Sequence, residues 1–182
     1  TVSFVTADFT ITSKPITDTD ITVGSITDLV YTGLGQTPSP EVKDGATVLV
    51  ADTDYTLSYV DNTNVGTATI TVTGIGNYSV TRTVTFTIVP KVIDILIADQ
   101  EKDYGALDPV LVFTADPILF GSDVFTGELS RASGEVVGEY LITSGTLSAG
   151  ANYSLDIQTD AIFRIIRIDS DGEGVADDIE ET

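Results

Sequence analysis

Threonine alternates with apolar residues along most of this chain. Between Val80 and Ile88 the apolar set is Val80, Val84, Phe86 and Ile88, while Thr81, Thr83, Thr85 and Thr87 make the other face. Ala68, Ile70 and Val72 alternate with Thr67, Thr69, Thr71 and Thr73, and Tyr55, Leu57 and Tyr59 form a third row. A period of two puts one face of a strand in a core and the other in water. β-Branched residues suit such a pleated surface. Turn sequences separate the rows: Asp44-Gly45, Asp61-Asn62, Gly74-Ile75-Gly76-Asn77, Gly121-Ser122 and Gly150-Ala151-Asn152. Short strands, frequent turns and almost no helical periodicity predict an all-β fold built of sandwiches.

The pattern recurs. Phe9, Phe86 and Phe163 open FTITSKPI, FTIVPKVI and FRIIRIDS, each 77 residues after the last. A fixed period of this size predicts an array of small domains. The boundaries fall at 14–90 and 91–167, with Lys14-Pro15 and Pro90-Lys91 at the joints. A proline there stays out of the ladder and stiffens the crossing, which predicts an elongated, fairly rigid rod. Residues 1–13 read as the last strand of a preceding repeat, cut from a longer array. The alternative is a donor strand that completes the sheet of another chain. The chain thus reads as part of something longer.

Charge and missing residue types narrow the chemistry. There is no Cys, His, Trp or Met, so the only metal ligands are oxygens. Neither a Ser-His-Asp nor a Cys-His arrangement is possible, and no carboxylate pair stands out; the expectation is that this is not an enzyme. Lys and Arg total 8 against 28 Asp and Glu, a formal charge of −20. That surface repels nucleic acid and anionic membrane and attracts hard cations. No apolar run approaches the roughly 20 residues of a membrane helix, so membrane insertion is not expected.

One segment, residues 168–182, has the spacing of a metal loop. Counting Asp169 as the first position, Asp169, Asp171 and Glu173 are oxygen ligands at alternate places. Gly174 follows at the turn, Val175 offers its carbonyl, and Asp177 and Glu180 complete the set. That is the order of an EF-hand-type calcium loop, and Ca2+ is the cofactor it predicts. The alternative is an acidic linker with no metal. The segment also resembles the DxDxDG calcium repeats of thrombospondin type-3 and dockerin type. It departs from them in having Glu173 where Asp is usual and a strand, not a helix, before it.

The second domain resembles the MBG-type repeat of very large bacterial surface proteins. Tyr104-Gly105-Ala106-Leu107-Asp108-Pro109, Gly127-Glu128-Leu129-Ser130-Arg131, Gly134-Glu135-Val136-Val137-Gly138-Glu139-Tyr140 and Asn152-Tyr153 carry the resemblance. The first domain is similar to the related bacterial Ig-like repeat, through Tyr31-Thr32-Gly33, Asp54-Tyr55, Asn64-Val65-Gly66-Thr67-Ala68 and Gly74-Ile75-Gly76-Asn77-Tyr78. The resemblance implies tandem Ig-like sandwiches that form a spacer in a secreted, extracellular adhesin or filament on a bacterial cell surface. Neighbouring repeats of the same chain are the implied partners.

Individual residues carry further expectations. Tyr78 and Tyr153 follow equivalent turns and predict buried rings with their hydroxyls tied to backbone. Arg131 and Glu135 predict an ion pair at a hairpin. Asn77-Tyr78-Ser79 and Asn152-Tyr153-Ser154 fit the glycosylation acceptor pattern, but their shared turn makes them turn chemistry first. Tyr31 and Phe120 are the loop aromatics to examine for ligand contact, with core as the alternative. A ligand- or carbohydrate-binding module is the second reading of function, and a subunit that self-assembles through residues 1–13 is the third. Lys14, Lys43, Lys91 and Lys102 are the lysines available for a Lys–Asn isopeptide crosslink.

Overall fold

The alternating rows fold as strands, and a computed structural model describes residues 9–158 and 160–167. The fold is all-β, with no helix among the described residues. The chain divides into two units, Thr1–Val89 and Pro90–Thr182.

Among its described residues the first unit holds nine strands: β1 (Lys14–Pro15), β2 (Ile21–Val23), β3 (Leu29–Val30), β4 (Val42–Asp44), β5 (Thr47–Val48), β6 (Tyr55–Val60), β7 (Gly66–Gly74), β8 (Tyr78–Ser79) and β9 (Thr81–Val89). One sheet has the order β2-β4-β5 and another β3-β9-β7-β6, while β1 pairs with β8. Ile21 and Val42 from the first sheet pack with Tyr55 and Val72 from the second, around Ile16 and Leu49. The threonine rows behave as the period requires. Ala68, Ile70 and Val72 are buried in β7, as are Phe86 and Ile88 in β9, while the threonines between them are half-buried in β7 and exposed in β9.

Val80 departs from its row. It is exposed and sits at φ 55° between β8 and β9. Its carbonyl accepts from the Gly74 amide at 2.9 Å. The residue serves as the kink where the chain leaves β1 and turns to pair with β7, so backbone need overrides the apolar pattern. Pro15 also departs from expectation, because it lies in a strand. In a parallel ladder alternate residues bond, and here the amides of Lys14 and Ile16 do so, to Asn77 and Ser79 at 2.8 Å each. Proline occupies the position between them, where no N–H is needed.

The second unit holds β10 (Lys91–Ile97), β11 (Gln100–Asp103), β12 (Phe113–Asp116), β13 (Ser130–Arg131), β14 (Gly138–Thr143), β15 (Tyr153–Ile157) and β16 (Ile162–Ile166). Its sheets run β12-β10-β15 and β11-β16-β14-β13. Ile93, Ile95 and Ile97 from the first, and Ile142, Phe163 and Ile165 from the second, are buried.

Phe9 and Ile11 take no strand, and they are 87% and 84% exposed. Their counterparts Phe86 and Ile88 are 3% and 0% exposed, and Phe163 and Ile165 are 0% and 1%. Residues 1–8 of the expected strand lie outside the described residues.

Candidate functional site

The densest chemistry among the described residues is a four-residue ion network in the second unit. β11 supplies Lys102, the loop after it Asp108, β13 Arg131, and the hairpin after that Glu135. Lys102 Nζ sits 2.7 Å from Asp108 Oδ1 and 2.5 Å from Glu135 Oε2. Arg131 Nε donates to Asp108 Oδ2 at 2.6 Å, and Nη2 donates to Asp108 Oδ1 at 3.1 Å and Glu135 Oε1 at 2.6 Å. Nη1 donates to the carbonyls of Ala132 and Gly134, at 3.0 and 2.7 Å. The guanidinium lies 4.9 Å from the Phe163 ring centroid and 5.2 Å from that of Tyr140.

The two cations lie beneath the two carboxylates. The Lys102 and Arg131 side chains are 4% and 9% exposed, against 41% and 68% for Asp108 and Glu135. Buried charge is costly unless it is paired, and here it is paired twice over. The Arg131 fork and then Lys102 hold the Asp108 carboxyl down at about 2. Lys102 and Arg131 hold Glu135 below its ordinary range, and the carboxylates raise both cations.

Gly134 closes the hairpin. Its φ is +149°, and a Cβ there would collide with Cε1 of Tyr140. The Tyr140 hydroxyl in turn donates to the Val136 carbonyl at 2.7 Å.

Arg131 and Glu135 thus form the ion pair expected from the sequence. Lys102 and Asp108 were not anticipated as its partners. No local signal marked them: Lys102 is buried within a short strand of polar residues whose Glu101 and Asp103 are exposed. Every N–H of the guanidinium is engaged by protein, so the arrangement is architectural: it ties β11 to β13 and seats a cation on β16.

The other expected residues fall as follows. Tyr153 is buried; its hydroxyl accepts from the Phe120 amide at 2.8 Å and donates to Asp123 at 2.7 Å. Tyr78 is only half-buried, and its hydroxyl meets the Asp44 carboxylate at 3.3 Å instead of backbone. Burial, and then Asp44, pushes that phenol up. Tyr31 is buried, and Phe120 packs half-buried against Tyr153 with centroids 6.4 Å apart. Neither presents a free aromatic face in a loop.

Lys14 pairs with Asp44 at 2.6 Å, and Lys43 with Glu41 at 2.6 Å. Lys102 is paired with two carboxylates, Glu135 at 2.5 Å and Asp108 at 2.7 Å. Asp169, Asp171, Glu173, Val175, Asp177 and Glu180 lie outside the described residues.

Residues 93–164 match the family model of the MBG domain (YGX type). The matched span includes Tyr104-Gly105-Ala106 and the whole ion network, and it supports reading the second unit as an MBG-type repeat. No curated protein matches the chain.

Proposed function

We propose that this chain is a structural spacer from a large bacterial surface adhesin or extracellular filament, with each unit serving as one Ig-like repeat. The observation that carries the reading is a shared way of receiving and releasing the chain. In the first unit the Lys14 amide donates to Asn77 and the Tyr31 amide to Val89, at 2.8 and 2.9 Å. In the MBG-type unit the Lys91 amide donates to Asn152 and the Tyr104 amide to Ile166, at 3.0 and 2.8 Å. A module reused in series needs its two ends built alike, whereas a binding module is defined by its loops.

The saturated Arg131 and the packed Tyr31 and Phe120 agree with this, because they leave little polar or aromatic reach for a ligand. The proposed location is extracellular, the proposed partners are neighbouring repeats, and the acidic surface keeps such a polymer soluble. Calcium binding by Asp169 to Glu180 is proposed on spacing alone. Calcium titration calorimetry with the full chain tests it: heat release lost in Glu180→Gln supports the loop, and no heat in the parent removes it. A glycan array with the full chain tests the spacer role. No selective binding is expected; selective capture of one glycan class would replace the spacer with a binding module.

A further inference from the structure

In each unit two strands near the start of the chain pair in parallel with two near its end, β1 with β8 and β3 with β9 in the first, β10 with β15 and β11 with β16 in the second. In the MBG-type unit, Gln100, Glu101, Lys102 and Asp103 of β11 face Phe163, Arg164, Ile165 and Ile166 of β16. The Tyr104 amide extends that ladder to Ile166. Upstream, β10 pairs in parallel with β15 from Lys91↔Tyr153 to Ile95↔Ile157.

This has a mechanical consequence. Tension on the chain before β11 draws that strand backward, and tension after Ile166 draws β16 forward. The two slide against each other, and the hydrogen bonds between them lie across the pull and share the load. An antiparallel terminal pair would instead open one bond at a time.

The first unit has the same geometry in shorter form. β3 meets β9 only at Leu29↔Ile88 and Val30↔Val89, and β1 meets β8 at Lys14↔Tyr78 and Pro15↔Ser79. The side-chain support differs too. Lys102 stands two residues before Tyr104, and from β11 it reaches Asp108 and Glu135, which hold Arg131 over Phe163 of β16. Two residues before Tyr31, the first unit has Leu29.

We propose that both units are shear clamps of graded strength: the first opens at lower force, and the MBG-type unit, with its longer parallel ladders and ion network, holds. Such grading would let a stretched chain lengthen in one step without losing its stronger link. The purpose rests on the spacer reading, but the strength does not. Selective glycan capture would overturn the spacer and leave the clamp, whereas equal opening forces would overturn the grading and leave the spacer.

The test is single-molecule pulling of the full chain from its two ends, since forced opening reports the unfolding barrier. The units are close in length, so one must be marked. Thr69 and Thr85 are Cα partners in β7 and β9. The Gly74 amide bonds toward Val80, so Thr69 lies at a non-hydrogen-bonded pair, close enough for a disulfide. With no native Cys, Thr69→Cys with Thr85→Cys shortens only the first unit's step when oxidised, by roughly 50 Å. The shortened step is expected to be the weaker one. Lys102→Met, which keeps the buried stem, should lower the force of the other step only. If Lys102→Met fails to fold, exposed Glu135→Gln makes the same test. The grading is overturned if the shortened step is the stronger or if both open at one force. The network's part is overturned if neither variant moves the stronger step.

Discussion

Arg131 grips Asp108 with two parallel hydrogen bonds, Nε to Oδ2 at 2.6 Å and Nη2 to Oδ1 at 3.1 Å. Paired in this way, the carboxylate stays ionised down to about 2, against an ordinary 3.8. A carboxyl whose folded value is depressed adds stability above its ordinary value and loses it as pH falls toward the folded value. Glu135, lowered from 4.5, adds in the same sense. The MBG-type unit should therefore weaken as pH drops from about 4.5 to 2, and more steeply than the first unit. Urea unfolding followed by NMR at Ile165 and Ile70 separates the units. Asp108→Asn should be less stable at neutral pH and flatter across that window; an unchanged slope would count against the network.

Gly134 admits no side chain. Its carbonyl receives Arg131 Nη1, its φ is positive, and Tyr140 occupies the space of a Cβ. Gly134→Ala should cost at least about 1–3 kcal/mol through backbone strain and displace the Tyr140 ring. The check is the stability of the MBG-type unit together with the Tyr140 ring shifts by NMR. A variant that keeps both would mean that Tyr140 does not fill the space beside Gly134.

The three phenylalanines of the period give an internal comparison. Phe86→Ala and Phe163→Ala each remove a buried ring and should cost about 3–5 kcal/mol, enough to unfold a small unit at physiological temperature. Phe9→Ala should change the stability of this chain by less than about 0.5 kcal/mol, since Phe9 is 87% exposed. Light scattering on the same variant, and on a chain lacking residues 1–13, tests the donor-strand alternative. A loss of oligomer would mean that Phe9 is buried in another copy.

How much was readable in advance depended on whether a signal was local. The threonine rows predicted β7 and β9 because alternation at period two directly reports which face is buried. Arg131 and Glu135 were readable for the same reason, standing four residues apart in one hairpin. Lys102 and Asp108 were not, since they meet Arg131 only after β11 pairs in parallel with β16, across more than sixty residues of chain. Pro15 and Val80 were misjudged because side-chain pattern says nothing about which backbone groups a ladder needs. Tyr78 and Tyr153 share a turn, but their hydroxyl partners come from different loops, Asp44 in one case and the Phe120–Asp123 turn in the other.

Val80 is the place where the first unit is strained for a stated reason. A β-branched residue at φ 55° crowds its Cβ against backbone, at a cost of about 1–2 kcal/mol. The side chain is 53% exposed and returns little through burial. Asparagine tolerates this conformation better and keeps a side chain, so it avoids most of the unfolded-state entropy that glycine would add. Val80→Asn should therefore stabilise the first unit by about 1 kcal/mol, leaving the MBG-type unit unchanged. Hydrogen exchange of the β7 and β9 amides, which report opening of that sheet, measures it directly. Faster exchange in the variant would show that the valine methyls contribute packing greater than the strain they impose.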